Sequence, residues 1–178
     1  MNLAYKVPYT VDDYMMWEGD WELINGDAIS MAPSPYGRHQ AVLFEIMYQM
    51  KNSFESCDNP CYLYYDTDYI IDELNVFRPD CSVVCKKVEK QINFTPLMIV
   101  EVQSDSTAIK DRTIKFSTYE KEGVKFYMMV DYKLRNIKLY ELKDYRYVKI
   151  LDDNSGKFSF DLNGCKIEFN IDKWWESM

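Results

Sequence analysis

Histidine is almost missing from this chain: His39 is the single imidazole among 178 residues. That scarcity excludes a zinc site built mainly from histidines, and it leaves a Ser- or Cys-based hydrolase with one candidate base. No Gly-x-Ser-x-Gly elbow, P-loop or dinucleotide-binding glycine fingerprint occurs either. Glycine and proline are sparse at 6 each, and no repeat, low-complexity tract or charge block divides the sequence. One domain over residues 1–178 follows. No apolar run approaches the roughly 20 residues of a membrane-spanning helix, and the opening MNLAYKVPYT carries no apolar signal core. A cytoplasmic protein with no membrane partner is the expectation.

Positive charge is also in deficit. There are 21 Lys and Arg against 29 Asp and Glu, a net charge of −8, the reverse of the basic footprint of a protein that grips nucleic acid by neutralising phosphates. Tight non-specific DNA binding is disfavoured. A cluster of carboxylates that takes up a divalent cation is not, because the metal offsets their charge. Cysteines number five, an odd count in a chain long enough to fold without staples, so no disulfide framework and a reducing compartment are expected. Cys57 with Cys61 and Cys81 with Cys85 are spaced by four, which raises a zinc site, but neither pair is a tight CxxC knuckle.

Apolar material is plentiful. Hydrophobic residues make up 47% and aromatics 16% of the chain, with 15 Tyr, 9 Phe and 4 Trp, enough for a sizeable packed core. Thr10 followed by Asp13 predicts a capped helix through Tyr14 and Trp17. Strands are expected over Trp21 to Ile24 and Ala28 to Met31, joined by Asn25-Gly26-Asp27, with a loop following at Pro33 and Pro35. From Arg38 to Phe54, Val42, Leu43, Ile46, Met47, Met50 and Phe54 recur at helical spacing. Strand-like runs follow at Tyr62 to Tyr65, Tyr69 to Ile71, Cys81 to Cys85 and Leu97 to Val102, the last reading as a central strand covered on both faces. The serine-containing loop from Ser104 to Thr107, in which Ser104 and Ser106 suit caps or phosphate donors, leads to a helix from Ala108 to Glu122 ended by Gly123. A buried strand is expected at Lys125 to Val130. Beyond it a β-meander runs through Ile137 to Leu142, Tyr145 to Ile150, Phe158 to Phe160 and Cys165 to Phe169, with Trp174 and Trp175 capping the sheet.

Two carboxylates stand out by location. Asp80 follows Arg78-Pro79 and opens an apolar strand; Glu101 lies inside Leu97-Met98-Ile99-Val100-Glu101-Val102. A charge in such a run is costly unless paired or metal-bound, since desolvating an ion costs several kcal/mol. One reading is a Mg²⁺ or Mn²⁺ site using both acids, with positions left for water and a substrate phosphate. The other is that Asp80 caps a turn and Glu101 pairs with a buried Lys or Arg.

The order Trp21-Glu22-Leu23-Ile24-Asn25-Gly26, Met31, His39, Arg78-Pro79-Asp80, Ile99-Val100-Glu101-Val102-Gln103-Ser104, Asp111, Lys115, Tyr119, Gly123 and Val130-Asp131 resembles the Uma-type family of restriction-endonuclease-like proteins over about Tyr9 to Tyr140. The resemblance implies an α/β (α+β) fold of the PD-(D/E)XK superfamily, a mixed central sheet flanked by helices, with the C-terminal meander appended. It implies Mg²⁺-dependent hydrolysis of DNA phosphodiester bonds. Asp80 and Glu101 take the places of the two metal-binding acids, and Glu22 of an additional acid that binds the same metal or orients a water. Where that superfamily usually carries a lysine, two residues after the second acid, this chain has Gln103, which can hold a water or phosphate oxygen but brings no positive charge. The resemblance offers Lys115 on the following helix instead; from spacing alone, Asp111 and Lys115 are also an ordinary helical ion pair. His39 is a candidate phosphate contact or proton shuttle, or a packing residue. Tyr119 is a phosphate donor or a core residue. A homodimer is the usual partner arrangement for cutting both strands. The competing function is a catalytically inactive nuclease-fold binding or regulatory protein, which Gln103 and the −8 charge favour.

Overall fold

In the computed structural model, which describes residues 7–31, 36–58, 61–103 and 111–178, Asn25 and Gly26 have φ of 52° and 77°. Left-handed backbone at both central positions is what a type I′ turn requires, and it reverses the chain between β1 (Trp21–Ile24) and β2 (Asp27–Ser30). The second strand thus begins one residue before the expected Ala28, because Ile24 pairs directly with Asp27 across the turn. Ahead of the hairpin, α1 (Val11–Tyr14) is closed by a reciprocal Thr10–Asp13 capping box. It stops before Trp17, whose ring instead packs edge-on against Tyr9, Tyr14 and Trp21.

Helix α2 (Gly37–Phe54) buries His39, Val42, Ile46, Met50 and Phe54 along one stripe, as the three-and-four spacing demands. After it come β3 (Tyr62–Tyr65), β4 (Tyr69–Asp72) and β5 (Asn75–Phe77). Strand β5 was not expected: three residues are too few to show alternation. It completes a four-stranded sheet in the order β2-β1-β5-β4.

The main sheet comprises β3, β6 (Cys81–Val84), β7 (Met98–Gln103), β8 (Phe126–Asp131), β9 (Asn136–Lys143) and β10 (Arg146–Asp153). Its order is β10-β9-β8-β7-β6-β3, with β7 and β8 parallel and the other neighbours antiparallel. The single meander expected after Val130 is divided. Its first two strands extend this sheet, whereas β11 (Lys157–Leu162) and β12 (Cys165–Asn170) form a separate hairpin. That hairpin lies against α2, where Gln49 Oε1 accepts the Asn170 amide at 2.7 Å.

The expected helix from Ala108 begins outside the described residues, as do the loop residues Pro33, Pro35, Ser104 and Ser106 and the side chain of Asp111. Within them, a π-helical turn Asp111–Lys115 leads into α3 (Phe116–Lys121), and Gly123 at φ 80° ends it. The C-terminal α4 (Ile171–Glu176) buries Trp174 and Trp175. Trp174 packs edge-on against Phe169 with ring centroids 5.0 Å apart.

Strand β7 is buried along its whole length, so its two faces can be read by alternation. Met98, Val100 and Val102 face a core shared with α2, β12 and α4. Ile99 belongs to the opposite core, with Tyr119, Tyr127 and Phe77. The period of two therefore sends Glu101 and Gln103 toward Tyr119.

The expectation that the chain has no disulfide framework is corrected. Cys57 joins Cys165 and Cys61 joins Cys85 in disulfides, with Cα atoms 5.6 and 4.3 Å apart and sequence separations of 108 and 24. Folding brings together cysteines from different elements, which spacing along the chain does not reveal. The odd count is explained by Cys81, free and buried on β6; of the spaced pairs considered for zinc, Cys57 and Cys61 lie in different disulfides, and Cys85 is bonded while Cys81 is not.

Candidate functional site

Three segments far apart in sequence deliver charged groups to one buried point. Strand β1 supplies Glu22, β7 supplies Glu101 and the π-helical turn supplies Lys115, all at most 4% exposed. The Lys115 ammonium stands 2.9 Å from Glu22 Oε1 and 2.9 Å from Glu101 Oε1. Each carboxylate has a second donor: the Arg78 amide gives to Glu22 Oε1 at 3.0 Å, and the Tyr119 hydroxyl gives to Glu101 Oε1 at 3.0 Å. Buried ions are tolerated when paired and hydrogen-bonded in this manner. A π turn widens the helix by one residue per turn, and Lys115 is its last residue, directly before regular α3.

Burial and the neighbouring Glu101 charge push the Tyr119 phenol well above its usual range. It stays protonated and donates. Of the two roles considered for Tyr119, core packing describes its fully buried ring, and the hydroxyl is turned to an acid of the cluster.

Asp80 comes one residue before β6. The ladder between β6 and β7 runs to Cys81 opposite Val100, so the next step along both strands brings Asp80 level with Glu101. The Asp80 Oδ2 atom accepts the Val102 amide at 2.7 Å and lies 3.2 Å from His39 Nε2. His39, on the first turn of α2, is buried and packs edge-on against Tyr132. It thus meets the first acid directly. Gln103 lies two residues beyond Glu101, 5% exposed, with Nε2 3.3 Å from Met129 Sδ.

Lys115 is no surface ion-pair partner, and Glu22 is no exposed strand carboxylate. Sequence reading gave no role to Arg78, Asp68 or Tyr14. The Arg78 guanidinium bonds Asp68 through Nε at 2.8 Å, Asp20 through Nη1 at 2.8 Å and the Tyr14 hydroxyl through Nη2 at 3.3 Å. The available signal was an arginine placed directly before Pro79-Asp80. Burial opposes its charge, but the bonds to Asp68 and the adjacent acids more than compensate and hold it fully protonated.

Among the described residues no group of three or more His, Cys, Asp or Glu side chains forms a ready-made metal cage. A Mg²⁺ or Mn²⁺ ion does not require such a cage. These cations take carboxylate oxygens and often bind through one or two acids, with water and substrate phosphate completing the shell. Asp80 is tied by its own oxygen to the amide next to Glu101. The arrangement offers Asp80 and Glu101 as the acids that would hold a hard cation, with the Lys115 ammonium 2.9 Å from Glu101. It also satisfies the alternative of an acid paired with a buried lysine, so metal binding is the property that separates the two readings.

A mixed central sheet with helices packed against it places the chain in the α/β class. Residues 11–159 match the Uma2 family, described as "Putative restriction endonuclease", and the chain belongs to that family. Among solved structures it is similar to "a putative nuclease belonging to DUF820" from Anabaena variabilis, with a TM-score of 0.78 and 15% identity over 96% of this chain and 99% of that one. No curated protein sequence matches it. No helix among the described residues is long and apolar enough to cross a membrane.

Proposed function

We propose that this chain is a Mg²⁺- or Mn²⁺-dependent endonuclease that hydrolyses DNA phosphodiester bonds. The observation that carries the reading is the buried Lys115 ammonium, 2.9 Å from Glu101 in place of the lysine that Gln103 does not supply. Asp80 and Glu101 would hold the cation. When bound, it would polarise the phosphate and lower the pKa of an attacking water. Lys115 offers positive charge to the phosphate oxygens as negative charge builds on them. Glu22 anchors Lys115 from the far side, Tyr119 fixes the Glu101 carboxylate, and His39 with the Val102 amide fixes Asp80. Gln103, on the same face of β7, would orient water. Hydrolysis adds the water oxygen to phosphorus and breaks one P–O ester bond, with no covalent enzyme intermediate.

The second reading, an inactive nuclease-fold binding protein, is favoured by the −8 net charge. The test is calorimetric titration of Mn²⁺ into wild type and an Asp80→Ala, Glu101→Ala double variant, with cleavage of duplex DNA followed in the same samples. Wild-type binding and cleavage that both vanish in the variant support the endonuclease. A folded wild type that binds no metal and cuts no DNA overturns it in favour of the second reading.

A further inference from the structure

The β1–β5 ladder consists of one residue pair, Leu23 with Val76. Two residues further on the ladder has ended, and the Arg78 amide finds its acceptor outside it. It takes Glu22 Oε1, the same oxygen that Lys115 touches. Whether that amide points at Glu22 depends on how the chain is held at residue 78, and the side chain of the same residue is fastened at three points. Those points belong to different segments: Tyr14 ends α1, Asp20 precedes β1 and Asp68 precedes β4. The bond to Asp68 is the strong one, since both side chains are only 15% exposed. Asp20 is 72% exposed, and such a surface pair contributes little.

We infer that Arg78 is a positioning residue: its part-buried guanidinium fork locks its own amide onto Glu22 and thereby fixes Lys115 against Glu101. The planar fork spreads its donors in fixed directions toward acceptors on three segments; a lysine offers one compact charge. The effect on metal binding rests on the endonuclease reading. The effect on Lys115 does not.

The full-length chain tests both. Amine labelling at Lys115 and thiol alkylation at Cys81 are mapped by mass spectrometry in wild type, Arg78→Met and Arg78→Lys, alongside Mn²⁺ titration. Cys81 is fully buried on β6 and reports whether the fold as a whole has opened. The expected result is that Lys115 labelling rises several-fold in both variants while Cys81 stays protected, and that Mn²⁺ affinity falls about 10- to 100-fold, the usual cost of losing a supporting residue behind metal ligands. Unchanged Lys115 labelling overturns the inference. So does a parallel rise at Cys81, which makes Arg78 an ordinary fold residue, and so does full protection in Arg78→Lys, which makes charge alone sufficient. If wild type binds no Mn²⁺ but Lys115 is still released selectively, the endonuclease proposal fails and the role of Arg78 stands.

Discussion

Lys115 carries more of the site than any other side chain, since it touches both Glu22 and Glu101. Replacing it with methionine keeps the stem and removes the ammonium, leaving two buried acids without their shared cation. Breaking a buried pair in this way costs about 3–5 kcal/mol, so Lys115→Met should show that loss in urea unfolding, and DNA cleavage should fall with it. Tyr119→Phe is the milder counterpart. It deletes one hydroxyl donor to a carboxylate while preserving the ring, and a hydrogen bond to a charged group contributes about 1.5–3 kcal/mol. A loss in that range by urea unfolding is expected. No change would show that Glu101 does not depend on the phenol.

At the level of elements, the β1–β2 hairpin is what brings Glu22 to the site. Gly26 at its turn has φ 77°, and its amide gives to the Leu74 carbonyl at 2.9 Å while its carbonyl receives the Tyr9 amide at 2.9 Å. A β-carbon there would collide with Pro8. Gly26→Ala therefore combines an unfavourable left-handed backbone with overpacking, and a destabilisation of about 1–3 kcal/mol is expected. Thermal unfolding measures it. Because the hairpin carries Glu22 on β1, Mn²⁺ affinity should weaken in parallel if the endonuclease proposal holds.

Across the whole molecule, buried phenols set the alkaline limit. Burial raises Tyr14 and Tyr69 to about 12, with Asp68 adding to the effect at Tyr14, and it pushes Tyr119 and Tyr147 well above the usual range as well. The unfolded chain releases these protons near pH 10 while the folded one keeps them. Between the two, the native state binds more protons, and stability falls as pH rises. Urea midpoints should be level below about pH 10 and drop above it, with phenolate absorbance of the buried group appearing only on unfolding. The disulfides act at the same scale. Cys57–Cys165 spans 108 residues, and removing a native disulfide of a small domain typically costs about 2–5 kcal/mol. Melting with and without reductant should differ accordingly.

Much of this architecture follows from local pattern. The helical stripe of α2, the Asn25-Gly26 turn, the unbroken apolar run of β7 and the strands on either side are set by side-chain periodicity and turn chemistry, which act over a few neighbouring residues. The order of acids around Asp80 and Glu101 was readable for the same reason, since a charge inside an apolar run is conspicuous wherever the run folds. What periodicity could not reach is which groups meet. The seat of the β11–β12 hairpin on α2, the pairing of β5 with β1, the pairing of Cys57 with Cys165, the bond from His39 to Asp80 and the reach of Arg78 to Tyr14 and Asp20 all join segments tens of residues apart. Packing likewise decides the convergence of Glu22, Glu101 and Lys115, since the four-residue spacing of Lys115 from Asp111 fits a surface helix pair as well as a buried site. Local sequence determines which face a side chain takes. Only packing the two sheets and α3 together removes water from that face, and the cost of burying unpaired charge then selects Lys115 as the partner of both acids.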